Sequence, residues 1–443
     1  MRKTKPVSWL PLPRILRRSV QSSFASAFLR LATGSALGQG AAVLAAPLLS
    51  RLYGPKQFGE FAVYFAVVGI VGAVAALRYD FALPLCKRES EARATLALAF
   101  YLILLVSFLS FGIIALLMIW SRIGASYPVL WWVPLGILAA GIYATFRSWA
   151  LRAHRYGAMG NSDILRGMGS ASLQIGFGVL HPVAGSLALG NAVAMIAGCV
   201  LLTKGVGIKI AKLTPLSLRR IYASARRYKR FAYLSTPSGI VNVSGQLLPA
   251  ALLTATYGSA AGGYYLMSQR LVAVPLSILG RSLSDAYVGH MRLHLNSEQR
   301  DAHAARTLLL RLRNRLMVFL AIPLFVSVVI IGQFIDVFLG SDWMQAGNFM
   351  QIMAVGWAFQ SIASPLGPTM NLLERQDLHL LWDIVRLLGV VAAIVTPAYF
   401  GMAVEWSIGF LASNAVLLYG VLILLLPRLI VSQQEEAVHG AAS

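Results

Sequence analysis

Runs of about 20 mostly apolar residues recur along this chain, and runs of that length have few solutions outside a bilayer. In hydrocarbon every backbone donor and acceptor must be satisfied within the segment, which selects membrane-crossing helices. Twelve such runs can be drawn: 28–49, 58–77, 94–120, 129–146, 163–180 and 183–203, then 231–257, 262–283, 316–339, 346–370, 379–400 and 404–426. The fifth is interrupted by Asp163, Arg166 and Gln174, and the eighth holds Gln269 and Arg270. Composition agrees. Only 12% of the 443 residues are charged, where a soluble domain has about 25%. A multidomain soluble enzyme is excluded, and so is a disordered chain.

The formal net charge is +22, which raises nucleic acid as a partner until the charges are placed. Thirty of the 38 lysines and arginines fall in the N-terminal segment, the even-numbered loops and the C-terminal end, against three (Arg51, Lys56 and Arg122) in the odd-numbered loops. The loop after the fourth span contributes Arg147, Arg152 and Arg155 to this count. The bias predicts a multi-pass membrane protein with both termini cytoplasmic. It divides the chain into a basic interfacial segment (1–25), a six-span half (26–203), a basic cytoplasmic linker (204–230), a second six-span half (231–430) and a cytoplasmic tail (431–443). The first span follows a basic head but is longer than the apolar core of a secretory signal, so it reads as uncleaved. The linker has only Tyr222 and Tyr228 among its cations, too few aromatics for a stacking platform. It reads as lying on anionic lipid, and no nucleic acid partner is expected. Cys86 and Cys199 are far apart and have no metal-ligand spacing, and no phosphate-binding loop motif occurs. No resident cofactor or metal is expected.

Shifting the chain by 204 residues brings part of it back onto itself. Leu48, Leu49, Ser50, Tyr53, Gly54, Gly59 and Phe61 fall on Leu252, Leu253, Thr254, Tyr257, Gly258, Gly263 and Tyr265. Six spans per half is an even number, so the halves share one orientation and are parallel repeats. The expected fold is therefore an all-α polytopic membrane protein, with twelve transmembrane helices in two parallel six-helix halves around a central cavity. Such carriers work by rocking one half against the other around a site near the midplane. The outer loops are short, which leaves no extramembrane domain for a glycan polymerase or ligase.

The stretch Leu49-Ser-Arg-Leu-Tyr-Gly-Pro-Lys-Gln-Phe-Gly-Glu-Phe61 and the run Leu77-Arg-Tyr-Asp-Phe-Ala-Leu-Pro84 resemble the signatures of polysaccharide-unit flippases. So do Ser235-Thr-Pro-Ser238, Gln246 to Pro249, and Ser268-Gln-Arg270 with Pro275. The chain is similar to this family from about residue 25 to residue 430. The family belongs to the multidrug/oligosaccharidyl-lipid/polysaccharide exporter superfamily. The resemblance implies translocation of undecaprenyl-diphosphate-linked oligosaccharide across the inner membrane, for O-antigen, capsule or exopolysaccharide. It implies a carrier rather than an enzyme, driven by proton or sodium coupling or by consumption of the product. A polysaccharide polymerase and chain-length proteins are the expected pathway partners. The alternative is a drug or cation antiporter of the same superfamily.

Moving a diphosphate past hydrocarbon requires a wet, cationic path. Arg270 lies about 12 Å into the eighth span at 1.5 Å per residue, where ionisable side chains face a cavity or a buried partner such as Asp383. Arg30 and Arg51 bracket the first span, as phosphate ligands or as cations reaching the headgroups. Gln39, Asn242 and Gln246 are deep amides that either hold sugars or bond neighbouring helices. Asp383 and Arg386 share a helical face, as a closed ion pair or with Asp383 as a coupling acid. Arg78 and Asp80 end the second span as contacts to neighbouring segments or a gate. Gly34-xxx-Gly38 and Gly258-xxx-Gly262 favour close helix packing.

Overall fold

The computed structural model describes residues 33–120, 127–206, 218–295, 302–373 and 375–442, and every regular element among them is helical. In the first half α1 comprises residues 33–44 and, after an irregular step at Ala45, Ala46–Leu52. Then follow α2 (Pro55–Gly72), α3 (Glu89–Trp120), α4 (Val133–Arg152), α5 (Tyr156–Leu180) and α6 (Ala184–Val206). The second half holds α7 (Thr236–Tyr257), α8 (Ser259–Leu295), α9 (Ala302–Leu316 continued by Ile322–Gln333), α10 (Met344–Leu366), α11 (Gln376–Tyr399) and α12 (Val404–Ala442). π-helical turns, Phe231–Ser235 and Met317–Ala321, precede α7 and interrupt α9. The boundaries follow local chemistry. α2 begins on Pro55, which gives up an amide no helix needs at that position, and α3 begins with Glu89 and Glu91 against the positive end of its dipole.

Among the described residues, seven helices are long and apolar enough to cross a membrane by length and composition alone: α3, α4, α6, α7, α9, α11 and α12. α5, α8 and α10 are less apolar because they carry Asp163, Arg166, Gln269, Arg270, Gln351 and Gln360. That division anticipates the architecture, since polar helices belong where water or substrate reaches. Several boundaries differ from the sequence reading: α8 continues to Leu295 and α9 begins at Ala302, where the apolar runs are 262–283 and 316–339. α5 starts at Tyr156, about two turns before the apolar run. α12 continues to Ala442 through the segment expected as a tail, because Ser432-Gln-Gln-Glu-Glu-Ala437 contains no helix breaker. The basic linker contains a helix, Leu218–Arg227, whose buried Ile221 and Ser224 recur at helical spacing.

The halves meet along α2, α7 and α8, at the end of the bundle opposite the basic loops. The contact is reciprocal. Gly59 on α2 lies directly on the carbonyl of Ser259, and Gly263 on α8 lies on the carbonyl of Pro55, the residue 204 positions before Ser259. Either glycine would lose this approach with any side chain. The Thr254 hydroxyl donates to the Gly59 carbonyl at 3.1 Å, and the Ser50 hydroxyl to the Leu339 carbonyl at 2.9 Å. Trp343, 1% exposed, donates its indole N–H to the Ser50 carbonyl at 3.0 Å and packs edge-on against Phe58. One apolar core runs through this seam into both halves.

Within the first half, α1 packs on α5 through glycine as expected: Gly34 lies on the Gly160 backbone, and Gly38 on the Asp163 carbonyl and on Gly167. Gly258 instead ends α7 at φ 94°, and Gly262 packs on Thr254 of its own half. At the basic end, Leu77 and Arg78 are consecutive non-glycine residues in the left-handed region, with φ of 45° and 59°. Such backbone costs on the order of 1 kcal/mol per residue and persists only where the surroundings enforce it. Here it turns the chain into the 3-10 segment Tyr79–Leu85 and sends the Arg78 guanidinium across to Gly239 of α7.

Candidate functional site

A cavity of about 800 Å³ lies between the halves. α1, α2, α4, α5 and α6 line one side, and α7, α8, α10, α11 and α12 the other. α3 and α9 contribute no lining residue and turn long apolar faces outward. The seam closes the cavity at the end opposite the basic loops.

Among the described residues, four arginines line it: Arg147, Arg166, Arg270 and Arg386. The described lining contains one carboxylate, Asp163, and it is already engaged. Arg147 donates to Asp163 at 2.5 Å, the Tyr143 hydroxyl at 2.6 Å, and the Ser35 hydroxyl of α1 closes the group. The second half repeats this arrangement. Asp383, 1% exposed, accepts both an ion pair from Arg386 at 3.0 Å and the Asn242 amide of α7 at 2.9 and 3.0 Å. The predicted Asp383–Arg386 pair is therefore formed. Arg386 also donates to the Asn242 carbonyl at 3.0 Å.

These two clusters expose a repeat that the 204-residue shift misses. Asp163-Ile-Leu-Arg166 on α5 and Asp383-Ile-Val-Arg386 on α11 are the same motif in corresponding helices, 220 residues apart. In each, the aspartate is held by a polar side chain from the first helix of its own half. In each, the arginine Nε is buried and has no hydrogen-bond partner among the described residues. The guanidinium of Arg166 sits over the Tyr143 ring at 5.4 Å. The shift of 204 fails here because the second half carries additional residues between α8 and α11. A search by span number instead of by fixed offset finds the motif.

Arg270 lines the cavity. Its Nε donates to the Ala42 carbonyl of α1 at 2.9 Å, which ties α8 to the opposite half. It does not pair with Asp383, which Arg386 and Asn242 occupy. Gln39 and Gln246 line the cavity, each bonded one turn back along its own helix, to Ser35 and Asn242. Asn242 stands behind the wall as the support of Asp383. By sequence position Arg147 falls with the loop cations. α4 runs on to Arg152, so Arg147 belongs to the helix and to the cavity.

The remaining predicted residues are elsewhere. Arg51 is exposed at the end of α1, beside the closed seam and away from the cavity. Arg30 lies outside the described residues. Arg78 stacks on Phe81 at 4.7 Å and reaches Gly239, a contact between halves at the basic end, and Asp80 is 4% exposed within the 3-10 segment. Burial pushes the Asp80 carboxyl up to about 6, against the opposing effect of Arg78.

A family model described as polysaccharide biosynthesis protein matches residues 48–348. No curated protein sequence matches the chain. Among solved structures, the lipid II flippase MurJ in an inward closed conformation superposes with a TM-score of 0.66 at 14% identity, covering 90% of this chain and 86% of that one. A MATE protein in complex with MaL6 gives 0.61 at 12% identity, over 92% of this chain and 97% of that one. An outward-facing multidrug resistance MATE family transporter of the MOP superfamily gives 0.54 at 13% identity, over 92% and 96%. At these identities the likeness fixes the fold: twelve helices in two lobes.

Proposed function

We infer the function from two facts: the chain belongs to the polysaccharide biosynthesis protein family, and its halves enclose a cavity lined by four arginines. It translocates an anionic, lipid-linked oligosaccharide between leaflets. The reading places it in the bacterial inner membrane with both termini cytoplasmic, moving undecaprenyl-diphosphate-linked units for a surface polysaccharide. The observation that carries this is the charge of the cavity. Arg166 and Arg270 have no carboxylate partner among the described residues, and the Nε of Arg166 and of Arg386 is unpartnered.

Uncompensated cations in a low-dielectric interior are costly, and an anion entering the cavity offsets that cost. Guanidinium suits phosphate because its planar fork bonds two oxygens at once. Arg166 lines the cavity from the first half and Arg270 and Arg386 from the second, so a diphosphate can be held by both halves together. Gln39, Gln246 and Gln360 offer amides to a glycan. The polyprenyl tail remains in lipid throughout. Opening the seam and closing the basic end exchanges the side to which the headgroup is exposed. Drive comes from an ion gradient or from removal of the product on the far side.

The same lining disfavours the antiporter reading. A cationic drug entering this cavity meets four guanidinium groups and one carboxylate that Arg147 already neutralises. The deciding experiment is depletion in the native cell. Lipid-linked glycan should accumulate on the cytoplasmic face. Normal export in a deletion strain without a paralogue would overturn the flippase reading, and restored export of cationic dyes by the gene would favour the antiporter.

A further inference from the structure

A second cleft lies outside the cavity, at the basic end, between the linker helix and the start of α3. Its volume is about 530 Å³, and Lys87, Arg88, Arg220 and Arg227 line it against one carboxylate, Glu91. The nearby acids are taken. Glu91 pairs with Arg227 at 3.0 Å and accepts from the Tyr228 hydroxyl at 3.0 Å, and Glu89 is held by Arg152 and Arg93. Among the described residues, Lys87, Arg88 and Arg220 have no carboxylate within ion-pair distance. The floor is fixed. Ser224 and Thr95 share a hydroxyl hydrogen bond of 2.6 Å, and the Tyr79 hydroxyl donates to the Ala225 carbonyl at 3.1 Å. The linker helix is thus docked on the first half, and the cleft has a defined shape.

We propose that this cleft binds the phosphate of a lipid headgroup in the adjoining leaflet. Lys87 and Arg88, in the short loop that leads into the first turn of α3, and Arg220, on the docked linker helix, converge on one cleft and form an anion site rather than a diffuse basic surface. The linker helix also exposes Leu218 (80%) and Tyr222 (71%), apolar side chains that suit the acyl boundary beside a headgroup. Juxtamembrane cations attract anionic lipid in any case, and the cleft adds geometry to that attraction. The inference does not rest on the substrate of the central cavity. Two lipids carry the required chemistry, an anionic phospholipid of the bilayer and a polyprenyl diphosphate.

The test is lipid retention by the purified full-length protein, measured by native mass spectrometry with phosphatidylglycerol, polyprenyl diphosphate or inorganic phosphate added in turn. Three proteins are compared: the wild type, the variant K87A/R88A/R220A, and a control of equal charge loss, R219A/R226A/K229A, outside the cleft. Arg227 is kept in all three so that the linker helix stays docked. Binding in the central cavity is common to all three and cancels. The cleft variant should lose affinity for at least one of the two lipids by about tenfold or more, the scale of one charge-assisted hydrogen bond. The control should retain it, and the lipid that shows the difference identifies the occupant. Equal retention by all three proteins overturns the proposal. So does an equal loss in the control, or inorganic phosphate bound as tightly as either lipid.

Discussion

Ser50 and Thr254 stand 204 residues apart in sequence, and each donates its hydroxyl across the seam between the halves, Ser50 to the Leu339 carbonyl and Thr254 to the Gly59 carbonyl. With the reciprocal glycine contacts beside them, they make the seam nearly self-complementary, as the interface of a two-fold dimer is. A small hydroxyl residue and a glycine at each address let two backbones touch while their polar groups stay satisfied.

Gly59→Leu should therefore force this end open, and Gly263→Leu should do the same from the other side. The measurement is labelling of Ser50→Cys by a membrane-impermeant thiol reagent in intact cells. Ser50 is buried in the seam, and Cys86 and Cys199 are buried as well, so the background is low. Either leucine should raise labelling several-fold. Labelling equal to that of the parent protein refutes the role of the seam as a gate.

Arg166→Ala and Arg386→Ala should each lower transport by about 10- to 100-fold, the equivalent of one lost charge-assisted hydrogen bond to the substrate. A charge exchange, D383R/R386D, separates recognition from folding. It preserves the ion pair and should restore insertion and thermal stability while transport stays low. Recovery of transport in the exchanged protein would show that the pair only holds α11 in place.

Arg270→Lys is expected to impair transport nearly as much as Arg270→Ala. Lysine keeps the charge but loses the planar fork that reaches both a phosphate and the Ala42 carbonyl. Insertion and expression should be unchanged. Wild-type transport by the alanine variant in reconstituted liposomes would remove Arg270 from the path.

Asp80 gives a pH dependence with a definite sign. Its folded carboxyl is raised to about 6 from 3.8, so the folded state holds the proton more tightly than the unfolded chain does. This contribution to stability is complete below about pH 4 and is lost as the pH rises through about 6. The melting temperature of the wild type should fall between pH 5 and pH 7.5 relative to Asp80→Asn, by a few degrees. Parallel melting curves for the two proteins across that range would sink this assignment.

Span number and parity are legible in the sequence because hydrocarbon allows one solution to a long apolar run. The repeat around Ser50 and Thr254 is legible because both copies abut the same seam and keep one offset. The Asp-x-x-Arg repeat is not legible at that offset, since the extra residues between α8 and α11 change it to 220. Arg147 is hidden for a different reason. An arginine near a helix end scores as a topology signal, and only the continuation of α4 to Arg152 turns it inward. The linker helix is obscured by its own charge, because its apolar spacing is short and diluted by arginines. Arg270 is found from depth alone, but its cross-half bond to Ala42 requires the tertiary arrangement.

The docked linker helix has a mechanical consequence. Because Ser224, Ala225 and Arg227 are fastened to the first half, the connection between the two lobes is not the whole basic segment. It contracts to the few residues between Tyr228 and Thr236, and these contain the π-helical turn Phe231–Ser235, followed by Pro237. A strand of backbone that short transmits torque instead of absorbing it. In the proposed alternating access, rotation of the second lobe is then geared directly to the pitch of α7, the helix that carries Gln246 on the cavity wall and Asn242 behind it.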